Sequence, residues 1–156
     1  MGSYSPPANA ISLCKRYEGF HKVGKDYLAY PYLCPAYVWT IGFGTTRFPN
    51  GIRVSKDTLP ITEAEAETYL VNELIRSTMQ AIGLSPILAQ SDERLGAVAS
   101  FIYNLGAANY ARSTFRVRVN EQDWSNARIE CRKWVWGGGR RLPGLVIRRN
   151  EEASYL

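Results

Sequence analysis

The sequence predicts an α+β protein in which a short helix leads into a small antiparallel β lobe and then into a larger helical lobe. Three observations point there. Glycines, prolines, aromatics and β-branched residues gather between residues 20 and 58. Apolar residues recur at helical spacing before and after that stretch, and a helix-start signature stands at residues 62–65. Segregated elements of this kind belong to α+β architecture, and a cleft flanked by two lobes is a natural substrate site.

Residues 1–7 read as a tail. Asn9 is placed to cap a short helix carrying Ile11, Cys14 and Tyr17 on one stripe, and Gly19 is its expected stop. Val38–Gly44 reads as strand. Arg47–Val54 holds a Pro49-Asn50-Gly51 turn between strand-prone residues, a hairpin signal. Thr62-Glu63-Ala64-Glu65 is a capping box, in which the hydroxyl and the second carboxylate each satisfy a free backbone N–H. Ala66, Tyr69, Leu70 and Leu74 supply the buried face of a long helix expected to end at Gly83. A second helix runs from about Ser91 through Leu95, Val98, Ala99, Ile102 and Leu105 to Gly106, and further helices start at Ser113, Asp123 and about Pro143. The expected organisation is a single domain over residues 8–156, with the β lobe at about 20–58 and the helical lobe at 60–156.

The chain has 156 residues, 46% hydrophobic and 21% charged, an ordinary balance for a folded domain. No apolar run reaches the ~18 residues of a membrane span, so no integral membrane segment is expected. The first residues lack the basic start and apolar stretch of a signal peptide, which predicts synthesis and folding in the cytoplasm. Cys14, Cys34 and Cys131 form no CxxC pair and His21 is the one histidine, so neither a metal site nor a cofactor is expected. Cys14 and Cys131 read as buried core thiols, and Trp124, Trp134 and Trp136 as core rather than sugar platforms. The net charge of +5 and pI of about 9.2 suit an anionic partner: nucleic acid, membrane or bacterial wall. Arg140-Arg141 and Arg148-Arg149 are the best argument for nucleic acid, but no recognised motif accompanies them. Gly137-Gly138-Gly139 reads as a flexible turn rather than a phosphate loop, since no strand precedes it and no Lys-Ser/Thr follows.

Glu18 is the leading candidate for chemistry. It falls at the end of the first helix, where the backbone dipole places partial negative charge, and negative surroundings favour the protonated carboxyl. A carboxyl kept protonated can serve as a general acid. Around it stand Glu18-Gly19-Phe20, Tyr32-Leu33-Cys34 and Thr40-Ile41-Gly42-Phe43-Gly44. Farther on come Ile61-Thr62-Glu63-Ala64-Glu65-Ala66, Phe101-Ile102-Tyr103-Asn104-Leu105-Gly106, and Gly144-Leu145-Val146-Ile147-Arg148-Arg149-Asn150-Glu151. In this order, from about residue 10 to the C-terminus, the segments resemble the phage-type lysozymes and endolysins of glycoside hydrolase family 24.

The resemblance implies a lysozyme-like fold. It also implies an N-acetylmuramidase that cuts the β-1,4 bond between N-acetylmuramic acid and N-acetylglucosamine in peptidoglycan. In that scheme Glu18 is the acid, and Cys34 and Thr40 position a water on the far face of the sugar, with about 6.5–9.5 Å between the catalytic groups. Tyr32, Asn104 and Arg148 are the substrate-binding candidates, and Arg148 or Arg149 is expected to orient Glu18. Asn104 is read equally as a helix-end side chain, and the two arginines as a solvent-facing pair. The expected partners are peptidoglycan strands and a holin that gives access to the wall. The protein is expected to be a monomer held in the host cytoplasm until lysis. The sequence departs from the family pattern in three ways. Glu18 and Cys34 are separated by 15 residues, a longer spacing than usual, so residues 21–30 should form an enlarged loop. Thr45 replaces a common His, which removes an expected ion pair of the small lobe. Cys34 replaces the usual Asp, and an unperturbed thiol with pKa ~8.5 is only a few per cent ionised at neutral pH, so a water-orienting thiol is favoured over a thiolate base or a nucleophile. Asp26 is the rival, but Thr40 stands at the family spacing from Cys34 and not from Asp26. A non-catalytic peptidoglycan-binding protein and a chitinase-like glycosidase are the alternatives.

Overall fold

The computed structural model describes residues 5–20 and 22–156; residues 1–4 of the expected tail, and His21, lie outside them. The chain divides into two compact units, Met1–Leu13 with Leu74–Leu156, and Cys14–Glu73. It is an α+β protein with small antiparallel sheets and a predominance of helix.

Helix α1 spans Ala8–Glu18. Asn9 lies inside its first turn rather than at the cap, because the Pro7 carbonyl already accepts from Ala10 N at 3.0 Å. Asn9 instead donates through Nδ2 to the Glu93 carbonyl at 2.8 Å. The buried stripe is Ala10, Leu13 and Cys14 with Tyr17 half-buried, while Ile11 sits at its edge. At the other end Gly19 adopts φ +70° and its N–H bonds the Lys15 carbonyl at 3.1 Å, an αL stop as expected.

In the unit Cys14–Glu73, strands β1 (Tyr32–Leu33) and β2 (Trp39–Thr40) pair antiparallel, with Tyr32 opposite Thr40 and Leu33 opposite Trp39. The expected strand Val38–Gly44 is cut short because the chain turns back at Ile41, which pairs with Thr45. The Pro49-Asn50-Gly51 hairpin forms, with Arg47 bridged to Arg53 and Gly51 at φ +86°. The segment expected as an enlarged loop is tightly built. Val23 bridges Ala29, and Ala29 exchanges two hydrogen bonds with Ile61, at 2.8 and 3.0 Å.

Helix α2 (Glu63–Leu84) starts with the capping box intact: Glu65 N–H to Thr62 Oγ1 and Thr62 N–H to Glu65 Oε1, each 3.1 Å. Ala66, Leu70 and Leu74 are fully buried. The helix runs through Gly83 and stops at Ser85, which leaves helical geometry at φ −144° and ψ 79° before Pro86, since a following proline disfavours the helical region. A 3-10 turn over Pro86–Gln90 follows. Helix α3 (Asp92–Leu105) is capped by Ser91 and ended by Gly106 at φ +87°, and α4 (Ala107–Ala111) was not anticipated. Helix α5 (Thr114–Asn120) is capped by the Ser113 side chain, and α6 (Trp124–Arg132) by that of Asp123. Strands β3 (Trp136–Gly137) and β4 (Arg140–Arg141) form a hairpin, and α7 (Pro143–Ser154) closes the chain. The core of the unit formed by Met1–Leu13 and Leu74–Leu156 centres on Phe101, whose ring meets those of Phe115, Trp134 and Tyr110 at 5.0, 5.7 and 6.1 Å.

Two expectations fail at the triple glycine. A short strand does precede it, and Gly138 and Gly139 both take positive φ, as a tight two-residue hairpin turn requires. Trp136 is not core: it is 64% exposed, and with Trp134, Arg112 and Lys133 it lines a pocket of about 560 Å³. Trp134 and Trp124 are half-buried, the latter beneath the Arg94 guanidinium at 3.9 Å. Cys14 and Cys131 are buried, and burial pushes the Cys131 thiol well above its usual range.

Candidate active site

Glu18 ends α1 and is half-buried. The turn Ile41–Thr45 comes up against it. This turn is held by two backbone bonds, Ile41 N–H to Thr45 O at 2.9 Å and the reverse at 3.0 Å. Thr45 is buried within this backbone pairing, at the position where an ion pair was expected to be lost. Both glycines of the turn take positive φ, for which glycine alone is unstrained. Gly42 faces α2, where a Cβ would meet the Ala66 Cβ at 2.8 Å. Gly44 faces Glu18, whose carboxyl fills the space a side chain would take. Phe43 between them is buried; its ring packs on Phe20 at 5.4 Å and lies under the Lys15 ammonium at 5.6 Å.

The β1–β2 hairpin carries two of the predicted site residues on one face, and a third, Cys34, directly after β1. Cross-strand partners Tyr32 and Thr40 point the same way, and Cys34 follows Tyr32 by two residues. The Val38 carbonyl ties the end of the hairpin together, accepting from Cys34 N at 3.0 Å and from Thr40 Oγ1 at 2.9 Å. Thr40 therefore spends its hydroxyl proton on the backbone and keeps oxygen lone pairs to accept with. The Tyr32 phenol is raised above its ordinary range by burial first, and then by its electrostatic interaction with Glu18 and Cys34.

Asp26 has other work. It accepts from the Tyr30 hydroxyl at 2.5 Å and from Leu28 N at 3.1 Å. The Tyr30 bond first, and the backbone bond second, hold its carboxyl below the usual range.

Asn104 and Arg148 belong to the other unit, in a buried ionic cluster. Glu152 is fully buried and uses both carboxylate oxygens. Oε1 takes Arg149, while Oε2 takes the Ser100 hydroxyl at 2.6 Å and Arg148 Nε at 3.3 Å. Arg149 also reaches the Asn104 carbonyl oxygen and the Trp134 backbone carbonyl, the latter at 2.9 Å. Neither arginine is a solvent-facing residue. Glu152 was missed because the closing motif was read to Glu151; the Arg-Arg-x-x-Glu spacing, which places the acid three and four residues after the arginines, picks out Glu152.

Comparison with known proteins joins these pieces. The family model for phage lysozyme matches residues 15–152. The chain belongs to the phage lysozyme family. An endolysin of Acyrthosiphon pisum secondary endosymbiont phage 1 is 31% identical over 150 residues, 94% of this chain and 93% of its own. A SAR-endolysin of Bacteriophage PS119 is 32% identical over 127 residues, 78% of this chain and 70% of its own. Among solved structures, the endolysin from Escherichia coli O157:H7 phage FAHEc1 matches with TM-score 0.78 at 24% identity, over 99% of this chain and 94% of that one. A P22 lysozyme mutant matches with TM-score 0.74 at 22% identity, over 98% of each. These two likenesses speak to the fold. As a phage lysozyme the chain is a glycoside hydrolase and an endolysin-type enzyme, and its segments from Glu18 to Glu152 fall within the family match. Among the described residues no cluster could hold a metal ion, and no helix is long and apolar enough to cross a membrane.

Proposed function

We propose that this lysozyme is an N-acetylmuramidase that hydrolyses the β-1,4 bond between N-acetylmuramic acid and N-acetylglucosamine in peptidoglycan. Glu18 donates a proton to the glycosidic oxygen as the bond to the anomeric carbon breaks. A water attacks that carbon from the opposite face, loses its proton to solvent, and leaves the product inverted. Thr40 Oγ1, with its own proton committed to Val38, accepts a hydrogen bond from that water. Cys34, directly after β1, helps to seat it. Tyr32 borders the site, and Asn104 and Arg148 stand in the Glu152 cluster of the other unit. The observation that carries this reading is the Glu18 carboxyl lying against Gly44 of the Ile41–Thr45 turn, which follows directly on Thr40 of the hairpin. The commitment of Asp26 to Tyr30 and Leu28 favours Cys34 as the second group.

The fit to phage relatives supports a lytic role. The enzyme is held in the host cytoplasm and reaches the wall when a holin, or another membrane-permeabilising partner, releases it. The test is Glu18→Gln against purified peptidoglycan, with the product anomer identified for the wild type. A loss of about 10²–10⁴-fold and an inverted product support the reading. Retained activity in Glu18→Gln removes it, and a retained anomer removes the single-displacement scheme. Lysis that survives Cys34→Ser but not Asp26→Ala would transfer the second role to Asp26. Cleavage of chitin in preference to peptidoglycan would reassign the substrate.

A further inference from the structure

Gly44 stands where any side chain would collide with the acid. A Cβ built on it lies 2.6 Å from Glu18 Oε2, 3.0 Å from Cδ and 3.3 Å from Cγ. Those atoms are the outer end of the Glu18 side chain, so the carboxyl occupies the room that the missing side chain leaves. The backbone beneath is fixed from several directions. The Ile41–Thr45 turn is bonded both ways, Phe43 is 3% exposed against Phe20, and Gly42 abuts Ala66 of α2. The Glu18 carboxyl is the far end of a side chain with several rotatable bonds. A methyl at residue 44 would therefore leave the turn in place and drive the carboxyl aside.

We propose that Gly44 is a positioning residue whose absent side chain forms the seat of the Glu18 carboxyl and fixes where its proton is offered. The proposal rests on the reading of Glu18 as the general acid. It separates two glycines that look equivalent in the sequence. Gly42 serves packing against α2, and Gly44 serves the acid.

Gly51 provides the control. It has φ +86°, close to the +84° of Gly44, and a Cβ there would meet nothing within 4 Å. Gly51→Ala thus carries the backbone strain of Gly44→Ala without the contact. Thermal melting should show similar losses for the two variants. On purified peptidoglycan, Gly51→Ala should keep kcat and its pH–rate profile. Gly44→Ala should lose about tenfold to hundredfold in kcat with KM little changed, and the alkaline limb of its profile should move. Glu18→Asp, which shortens the acid, should cost less in the Gly44→Ala chain than in the wild type. A folded Gly44→Ala with wild-type kcat and pH profile overturns the proposal. Should Gly44→Ala fail to fold, adding Glu18→Ala should restore the fold by removing the colliding group, and continued misfolding overturns the proposal. The two readings fail separately. Activity in Glu18→Gln sinks the acid itself, whereas an inactive Glu18→Gln beside an unaffected Gly44→Ala sinks only the seat.

Discussion

Glu152 shows how much one buried carboxylate can be asked to hold. It is 0% exposed and satisfies two arginines and a serine hydroxyl. A buried charge is tolerated only with partners, so removing it strands two guanidinium groups inside the protein. Glu152→Ala should lose about 3–5 kcal/mol in urea unfolding. A loss below about 1 kcal/mol would mean that the cluster contributes little. Tyr110 offers a test by pH. Its ring is fully buried, its hydroxyl meets Ser85 Oγ at 2.7 Å, and burial pushes its pKa up to about 12. Below pH ~10 the phenol is neutral folded or unfolded. Above that the unfolded chain ionises first, so stability should fall between pH ~10 and ~12 by about 3 kcal/mol and then level off. Urea midpoints across this range should decline more gently for Tyr110→Phe; parallel curves would contradict the assignment.

At the scale of elements, the ends carry the argument. The Thr62/Glu65 capping box was legible because its two partners are three residues apart and need nothing else from the chain. Thr62→Ala should cost about 1 kcal/mol of unfolding free energy, with no change in kcat if the cap serves only α2. Ser91, Ser113 and Asp123 were readable as helix starts, and each caps its helix. Asn9 was not, since its choice of the Glu93 carbonyl depends on the first turn of α3, far away in sequence. The end of α2 illustrates competing local signals. Gly83 permits a stop but does not demand one, whereas Pro86 constrains Ser85 in any context. The hairpin at Gly138-Gly139 was seen as a turn, but not as strands, because two-residue strands leave no alternation to read.

At the scale of the molecule, the net charge of +5 bears on how the enzyme meets an anionic wall. Lysis of permeabilised cells should slow as salt rises from about 0.05 to 0.3 M, because surface attraction is screened over a shortening Debye length. Cleavage of a short, uncharged glycan should stay nearly constant over the same range. Equal salt dependence for both substrates would show that charge does not hold the enzyme on its polymer.

The order of motifs from Glu18 to Gly106, the class of fold and the starts of most helices were determined by the sequence alone. Each depends on residues a few positions apart, whose geometry the backbone itself imposes. Tertiary structure decided the rest. It sent Trp136 to the surface, buried both closing arginines around Glu152, engaged Asp26 with Tyr30, and set the bare face of Gly44 under the Glu18 carboxyl. These outcomes turn on desolvation and on contacts between segments distant in the chain. A side chain's type does not reveal which partner will be there when water is removed.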